Sequence, residues 1–511
     1  MRRSSIAFTA LFVAALAATF GAAACGGSGG SSFGGDGGSS SGGGSGGSGS
    51  GGSGSGGCGL AGCGEGGSGG GGDGGVACPP GLQCNVSCSG GGTTSISGIV
   101  YDPAGADPLY NVAVYVPAVP LQPLPKGVLT GADACSCGAL FKSGAVVSTS
   151  TGVDGSFRLS DVPVGSDVPL VLQVGKWRKL VKVNVTACTD NKQPQGSLKL
   201  PGTVAAGDTD DNMPDIAVST GGADTLECLM QRMGVPASEY VKGPGGSGHV
   251  HVFSGGDPNG GGGVGQPEVP GWGAPESAKN LWSSVQTLMP YDILLLSCEG
   301  AETYNANPQN LEAYLDAGGR AFGSHFHYAW FSGPLSSGQS YSAPSDWGTH
   351  LATWSPGNGK GNSDRGDIVQ TLNGSTAPFA KGQALFQWLG LNGALVNQQL
   401  PITQPRYNAI VGPGNKPSQP WINYSGMPNT AYFSFDTPVN APASPDGGPP
   451  SYCGRAVFSD LHVSGTDPSP SCNPGPLSPQ EKALEFMLFD LSSCVIPDTV
   501  APPDAGIPIA Q

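Results

Sequence analysis

Apolar and polar positions in the second half of the chain predict a β-α-β unit over residues 291–330. Ile293–Leu296 is an unbroken apolar run, which is typical of a strand covered on both faces. Residues 310–317 place apolar side chains at helical spacing, and the glycine pair 318–319 is suited to end that helix. A second short strand, 320–323, leads directly into Ser-His-Phe-His-Tyr. The pattern therefore predicts polar side chains at the carboxyl end of a buried strand, where open α/β sheets bind ligands.

Further elements around this unit predict an α/β domain over residues 213–495, with a long insertion at about 333–450. The predicted strands are 216–219, 249–253, 432–435 and 455–459, and the predicted helices are 224–233, 277–289, 371–391 and 477–491. The sequence Ser-Pro-Gln-Glu at 478–481 is a favourable capped start for the last of these helices. A Pro-rich tail at 496–511 follows the domain.

The segment before the α/β domain has the pattern of a small β domain over residues 94–200. Apolar and polar residues alternate from Ser95 onward, and Pro and Gly turns interrupt the alternation. Asp154 and Gly155 form a dipeptide that favours a hairpin turn between two predicted strands. The basic residues at 176–179 are more typical of a sheet edge protected by charge than of a ligand-binding patch.

The amino terminus has the pattern of a secretory signal peptide over residues 1–24. Two arginines precede an apolar run, and Cys25 follows a triplet of small residues. This arrangement resembles the bacterial lipobox, although Ala22 stands where leucine is more usual, and it implies lipidation of Cys25. Ordinary cleavage that leaves a free thiol is the alternative. We therefore expect an exported protein whose partner is a lipid bilayer, held by lipid in the bacterial cell envelope at the outer membrane or cell surface.

Residues 25–93 are dominated by Gly and Ser and predict a disordered tether, because they cannot bury enough apolar surface to fold. The net charge of −15 and the lack of a basic stretch argue against nucleic acid as a partner. Export permits disulfides among the 14 cysteines. Grouping them by predicted segment leaves one cysteine over, and that residue is Cys298.

All six histidines of the chain lie in the predicted α/β domain. His325 and His327 follow the predicted strand 320–323, and both rings would share one face if the segment stays extended. His462 follows the predicted strand 455–459. The three histidines could hold a divalent metal such as zinc, or act as base and orienter. The alternative is an aromatic plug in which the imidazoles are satisfied. The carboxylates that could lie nearby are Glu299, Asp346 and Asp460.

Two segments resemble known families. Residues 95–187 resemble the carboxypeptidase regulatory-like domain, a transthyretin-like β-sandwich that usually supports or binds. The sequences YDILLLSCEG, LEAYLDAGGRAFGSHFHYAW and CGRAVFSDLHV resemble the class I glutamine amidotransferase-like fold, a flavodoxin-like α/β fold, and are closest to its trehalose-utilisation (ThuA-like) branch. In catalytic amidotransferases the nucleophilic cysteine follows the strand that matches 321–323, where this chain has Ser324 and His325. The usual His-x-Glu is His-Val-Ser at His462, so the resemblance implies that glutaminase activity is absent.

Three further hypotheses concern side chains near these strand ends. Cys298 lies beside Glu299, whose charge would raise the thiol pKa and disfavour a nucleophilic thiolate. Ser324 could be a nucleophile with His462 as its base. A group of aromatic and acidic residues could line a sugar site, although such residues serve core packing as often: Tyr328, Trp330, Asp346, Trp347 and Asp460.

Two functions from different classes therefore follow from the sequence. In the first, the α/β domain binds a carbohydrate or another envelope polymer without catalysis. In the second, it is a hydrolase-type or metal-assisted enzyme that uses His325, His327 and His462. Divergence from the nucleophile pattern favours binding, and histidines at the carboxyl ends of strands favour catalysis.

Overall fold

The computed structural model shows a mixed α/β fold that is rich in strands and has few helices. It describes residues 78–255, 275–302, 307–336, 341–356, 363–442, 450–463, 472, 475–500 and 502. The predicted signal peptide, Cys25 and residues 26–77 of the predicted tether lie outside these residues. The prediction of a disordered tether was wrong for residues 78–93, because Cys88 is bonded to Cys188 and Gln83 pairs with Val164. Every helix within the described ranges is too short or too polar to cross a membrane.

Eight strands form the amino-terminal part of the structure. They are Ser95–Tyr101 (β1), Ala113–Pro117 (β2), Ala145–Ser150 (β3), Ser156–Ser160 (β4), Gly165–Val174 (β5), Trp177–Val185 (β6), Asp190–Lys192 (β7) and Leu198–Lys199 (β8). One sheet has the order β4-β1-β7, with β8 also paired to β1, and the other has the order β3-β2-β5-β6. Apolar residues of both sheets contribute to one hydrophobic core.

The turn at Asp154 and Gly155 does not close a hairpin, so that prediction was wrong. The strand before it, β3, pairs with β2, and the strand after it, β4, pairs with β1 in the other sheet. Asp154 Oδ1 accepts the backbone N–H of Ser156 at 3.0 Å. Gly155 has φ +70, and a Cβ there would lie 2.7 Å from the carbonyl oxygen of Val100. The dipeptide therefore forms a tight corner between sheets.

Twelve strands follow, and ten of them form one mixed sheet. They are Ile216–Ser219 (β9), Tyr240–Lys242 (β10), Val250–Phe253 (β11), Ile293–Leu296 (β12), Arg320–Ser324 (β13), Thr353–Trp354 (β14), Ser363–Ile368 (β15), Leu400–Thr403 (β16), Ala409–Ile410 (β17), Gln419–Tyr424 (β18), Thr430–Thr437 (β19) and Gly454–Ser459 (β20). The order of the large sheet is β10-β11-β9-β12-β13-β20-β19-β18-β15-β16. The first six strands are parallel, and the remaining four extend the sheet in antiparallel pairs.

The helices are short and few. They are Leu226–Arg232 (α1), Ala278–Leu281 (α2), Val285–Leu288 (α3), Pro308–Asp316 (α4), Tyr328–Ser332 (α5), Ala380–Leu391 (α6) and Pro479–Ser492 (α7). The single helix predicted at 277–289 is therefore two helices, because Ser284 begins a new capping box with Thr287. The capped start predicted for the last helix is confirmed by the capping box of Ser478 and Glu481.

The two amino-terminal sheets, called the sandwich below, and the large sheet contribute apolar side chains to one hydrophobic core. Trp177 of β6 packs on Phe489 of α7 with ring centroids 5.8 Å apart, and Tyr110 stacks on Phe486 at the same separation. Five disulfides are present among the described cysteines: Cys78–Cys84, Cys88–Cys188, Cys135–Cys453, Cys137–Cys494 and Cys228–Cys472. Two of them join the sandwich to the α/β part, so the grouping of cysteines by segment was wrong there. Cys298 is free, as predicted.

Strand β9 is the topological switch point of the parallel part of the sheet. The chain goes from β9 to β11 on one side of it and then to β12 on the other, so the strand order reverses at this point. Strands β12, β13 and β20 are parallel neighbours, and Leu296 is in register with Gly323 while Ser324 is in register with Ser459. The residues just beyond these three strands therefore meet at one edge of the sheet, where α/β folds bind ligands.

Candidate functional site

Three side chains that follow different strands meet at this edge: Cys298, His325 and His462. Cys298 Sγ lies 3.3 Å from His325 Nδ1 and 3.5 Å from His462 Nε2, and the two ring nitrogens are 3.1 Å apart. The three residues are 0%, 2% and 6% exposed. Among the described parts of the chain, this is the group of His, Cys, Asp or Glu side chains whose donor atoms converge closely enough for one metal ion.

Local structure explains why the sequence brings these residues together. Cys298 lies two residues beyond β12, His325 directly follows β13, and His462 lies three residues beyond β20. His325 has φ +38, a left-handed conformation that is unfavourable for a residue with a side chain. It forms the sharp turn that ends β13 and begins the 3-10 helix His325–His327.

Burial controls the protonation of the cluster. It raises the pKa of the Cys298 thiol, and the nearby charge of Asp224 acts in the same direction. Burial lowers the pKa of His462 to about 4, assisted by Arg406, whose Nη2 lies 3.5 Å from His462 Nδ1. Burial and the neighbouring His462 hold the pKa of His325 well below its usual range. At neutral pH, without a cation, the cluster is therefore a thiol and two neutral imidazoles.

The geometry fits a small divalent cation. A tetrahedral zinc ion, with Zn–S of about 2.3 Å and Zn–N of about 2.0 Å, separates its ligand atoms by about 3.3 Å between nitrogens and about 3.5 Å between sulfur and nitrogen. The observed separations of 3.1 Å between nitrogens and 3.3 and 3.5 Å from sulfur to nitrogen are close to these values. One cysteine and two histidines are also a donor set that zinc prefers over hard cations such as magnesium or calcium.

The second nitrogen of His462 supports this assignment. Gln404 Oε1 lies 2.6 Å from His462 Nδ1, so Nδ1–H donates to the amide oxygen and Nε2 carries the lone pair. Nε2 is the atom that faces Cys298 and His325. A hydrogen bond from the outer ring nitrogen to an oxygen is the usual second contact of a metal-binding histidine.

His327 is not part of the cluster, because the segment does not stay extended and the condition for a shared face is not met. Residues 325–327 form a 3-10 turn, in which positions two apart do not share a face as they do in a strand. His327 is fully buried and packs against Trp330 with ring centroids 5.1 Å apart. Neither ring nitrogen makes a well-formed hydrogen bond within the described residues. Burial lowers the pKa of His327 to about 3, and the backbone of Ser324 opposes this effect only weakly.

Ser324 is buried at the end of β13, and its hydroxyl is hydrogen-bonded to a carboxylate and not to a histidine, as a nucleophile would require. Ser324 Oγ donates to Asp224 Oδ2 at 2.7 Å. The predicted pairing of Ser324 with His462 is therefore not the contact that forms. Glu299 is also buried, and it accepts a hydrogen bond from Ser219 Oγ at 3.4 Å near the end of β9.

The two aspartates proposed for ligand binding lie outside the cluster. Asp460 Oδ2 accepts the backbone N–H of Ala409 at 2.9 Å, and burial raises the Asp460 pKa to about 7. It holds the insertion against β20. Asp346 accepts from Asn440 Nδ2 at 3.4 Å and lies beside Glu312, whose pKa is raised to about 8 by burial and by Asp346.

The aromatic residues proposed for a sugar site are part of the hydrophobic core. Tyr328, Trp330 and Trp347 are each 1% exposed. Trp330 packs edge to face on Trp282, and Trp347 stacks on Phe331. Their ring faces are covered by protein, so they do not provide the open aromatic surface that a sugar requires.

Sequence reasoning missed Cys298 as a member of the histidine cluster, and it missed Gln404 altogether. Two signals pointed to Cys298: it is the cysteine left without a disulfide partner, and it follows a strand end as His325 does. Gln404 lies just after β16 in the long insertion, and its contact with His462 depends on tertiary structure.

A scan against models of protein families, a search of curated proteins and a search of solved structures each found no match to this chain.

Proposed function

We propose that this protein is an exported, lipid-anchored envelope protein whose α/β domain is a zinc-dependent enzyme of hydrolase type. The observation that carries the proposal is the convergence of Cys298, His325 and His462 at the carboxyl edge of parallel strands, at separations that suit one zinc ion. The burial of the predicted aromatic lining removes one of the two supports for the other function, binding of a carbohydrate without catalysis, and leaves only the divergence from the nucleophile pattern in its favour.

The ligand set indicates a catalytic role for the ion. Three protein ligands leave a fourth tetrahedral position for water, and zinc lowers the pKa of such a water to about 7. His325 and His462 are neutral at pH 7 and need lose no proton to bind. Cys298 must release its thiol proton, so ion binding releases about one proton at neutral pH.

The fold assignment is part of the same proposal. If β9, β11, β12, β13 and β20 are numbered one to five along the chain, their spatial order is 2-1-3-4-5, which supports a flavodoxin-like domain. The strained turn at His325 lies where class I amidotransferase-like enzymes place their nucleophile. This turn carries Ser324 and His325 where those enzymes have a cysteine. We therefore propose that it serves metal binding and not glutamine hydrolysis. The two four-stranded sheets support the transthyretin-like assignment of residues 94–200.

The cellular location is proposed from the amino terminus and from the cysteines. The signal-peptide pattern and Cys25 indicate export followed by lipidation. Five disulfides are typical of an oxidising compartment such as the periplasm or the cell surface. The Gly/Ser-rich segment after Cys25 would let the folded part reach away from the membrane surface.

The first test is the metal content of the mature chain, produced with its disulfides and measured by elemental analysis after dialysis. We expect about one zinc per chain, and loss of that zinc in Cys298→Ser and His462→Ala. The exposed His350 provides the matched control, so His350→Ala keeps its zinc. A folded wild-type chain that holds no zinc, even after incubation with zinc salt, would reject the proposal.

The second test is turnover on a panel of ester, amide, glycoside and phosphoester substrates. Activity that a chelator abolishes and zinc restores supports a hydrolase. A zinc-bearing protein that turns over none of them, but binds one glycan saturably, would favour the binding function instead.

A further inference from the structure

We propose that Asp224 is the positioning residue of this site, because its carboxylate holds the two strand ends that carry His325 and His462. Asp224 is fully buried in the loop between β9 and α1, at the point where the strand order reverses. Its Oδ2 accepts the Ser324 hydroxyl at 2.7 Å, and its Oδ1 accepts the Val463 backbone N–H at 2.8 Å. The inference rests on the proposed zinc centre for its role in function.

The two contacts lie directly beside the two histidines. Ser324 immediately precedes His325, and Val463 immediately follows His462. Consecutive Cα atoms are about 3.8 Å apart, so fixing a neighbour in this way leaves each ring little freedom of position. One carboxylate thus spans β13 and β20 and sets the 3.1 Å separation between His325 Nδ1 and His462 Nε2.

The strained backbone at His325 explains why such a clamp is needed. A non-glycine residue at φ +38 persists only where the surrounding structure holds it in place. Ser324 is the last residue of β13 and has ordinary extended angles, with φ −108 and ψ 142. Anchoring its side chain to Asp224 fixes the point from which the chain makes its sharp turn.

Asp224 also contributes charge to the site. Its carboxylate is hydrogen-bonded to Ser324 and Val463, the chain neighbours of His325 and His462, so it lies next to the ligand cluster. The same charge attracts a divalent cation held by Cys298, since the interaction of opposite charges is weakly screened in a buried site. Carboxylates that support metal ligands in this way change metal affinity about 10–100-fold when they are mutated.

The experiment compares Asp224→Ala, Asp224→Asn and Ser324→Ala with the wild-type mature chain, using zinc affinity and the absorption spectrum of the cobalt-substituted protein. Asp224→Ala should weaken zinc binding about 10–100-fold and change the cobalt bands, which report ligand geometry. Asp224→Asn keeps both hydrogen-bond positions but not the charge, so it should restore the wild-type spectrum while zinc binding stays weaker. Ser324→Ala releases only His325 and should have a smaller effect.

A matched control separates positioning from general loss of stability. Asp102 is another buried carboxylate that accepts backbone N–H groups, from Ala106 at 2.6 Å and Asp107 at 3.1 Å, in the β-sandwich. Asp102→Ala should lower the unfolding temperature without changing zinc affinity or the cobalt spectrum. If Asp224→Ala does not fold, Asp224→Asn and Ser324→Ala carry the test.

The outcomes for Asp224 and for the zinc centre can be told apart. Folded Asp224 variants with wild-type zinc affinity and spectrum would overturn the positioning role and leave the zinc centre intact. A wild-type chain that binds no zinc would reject the proposed function. In that case the ring ¹⁵N shifts of His325 and His462 decide: both should change in Asp224→Ala and neither in Asp102→Ala, and unchanged shifts would overturn the positioning role.

Discussion

At the scale of single residues, two histidines that are two positions apart have different environments. His325 faces Cys298 and His462, and each of these contacts is within 3.3 Å. His327 is equally buried, but its ring packs against Trp330. Its Cβ lies against Gly323 of β13, where an added Cβ would be only 3.4 Å away. The position of His325 just beyond a strand end therefore predicted correctly that it belongs to the cluster. For His327 the same prediction failed, because the 3-10 turn moves its side chain to a different face.

Replacing His327 with leucine should stabilise the protein. The imidazole is fully buried without a well-formed hydrogen bond among the described residues, and a buried polar group that is left unsatisfied costs about 1–3 kcal/mol. Leucine removes that cost at similar volume, so we expect a gain of about 1 kcal/mol in the free energy of unfolding by denaturant titration. Zinc content should not change. Loss of zinc in His327→Leu would instead show that this residue belongs to the site.

At the scale of elements, the sequence predicted most of the strands near the site and where they end. Ile293–Leu296 is a strand as predicted, and Arg320–Ser324 extends one residue past its predicted end. The missing information was which strands are neighbours. β20 lies beside β13 although about 130 residues separate them, and periodicity does not specify such pairings. Cys298 was therefore predicted to be unpaired among the cysteines but not to contact two histidines.

The turn at His325 predicts an unusual preference for glycine over alanine. A residue with a side chain at φ +38 costs roughly 1–2 kcal/mol that glycine avoids, against 0.5–1 kcal/mol of glycine's own chain entropy. His325→Gly should therefore be more stable than His325→Ala by about 0.5–1 kcal/mol in thermal or denaturant unfolding of the zinc-free variants. At Ser324, with φ −108, the order should reverse. The same order at both positions would contradict the strained turn.

Helix α7 carries a buried carboxyl that should make stability depend on pH. Burial raises the pKa of Glu485 well above its usual range, and the nearby Asp102 and Asp107 add to the effect. Because Glu485 binds its proton more tightly in the folded state, the protein keeps its full stability below the unfolded-state pKa of about 4.3. Its stability then falls as pH rises from that value towards the pKa of the folded state. Glu485→Gln should therefore stabilise the protein, with a gain in unfolding temperature that grows from pH 5 to pH 8.

Glu481 on the same helix is the contrasting control. It forms an ion pair with Arg232, with Arg232 Nη1 donating to Glu481 Oε2 at 2.9 Å, and it closes the capping box of α7. Glu481→Gln should destabilise the protein at neutral pH. A gain for Glu485→Gln that is constant over the pH range would show that its ionisation is not responsible.

At the scale of the whole molecule, the sandwich and the α/β part belong to one compact unit in the described structure. Their apolar side chains belong to a shared hydrophobic cluster that includes Trp177, Ile216 and Phe489. An α/β fragment that begins at residue 213 would expose the face of α7 that Trp177 and Tyr110 cover. Measurements on the site therefore require both parts of the chain.

The two disulfides that join these parts should stabilise the protein in a cooperative way. Cys135 and Cys137 are separated by one residue, and they pair with Cys453 and Cys494. Each disulfide alone closes a loop of more than 300 residues, with sequence separations of 318 and 357. With one already formed, the other closes a loop of only about 40 residues. Loop-closure entropy then makes loss of the second disulfide costlier than loss of the first by about 2 kcal/mol.

A double-mutant cycle measures this difference. The free energy of unfolding is compared for the wild-type chain, the Cys135→Ser/Cys453→Ser pair, the Cys137→Ser/Cys494→Ser pair and the chain with all four changes. Removing both disulfides should cost about 2 kcal/mol more than the sum of the two single removals. Removal of Cys78–Cys84, a loop of separation 6 within the amino-terminal segment, should add independently. Strict additivity for the two linking disulfides would contradict this account, because it would mean that one disulfide does not shorten the loop that the other closes in the unfolded chain.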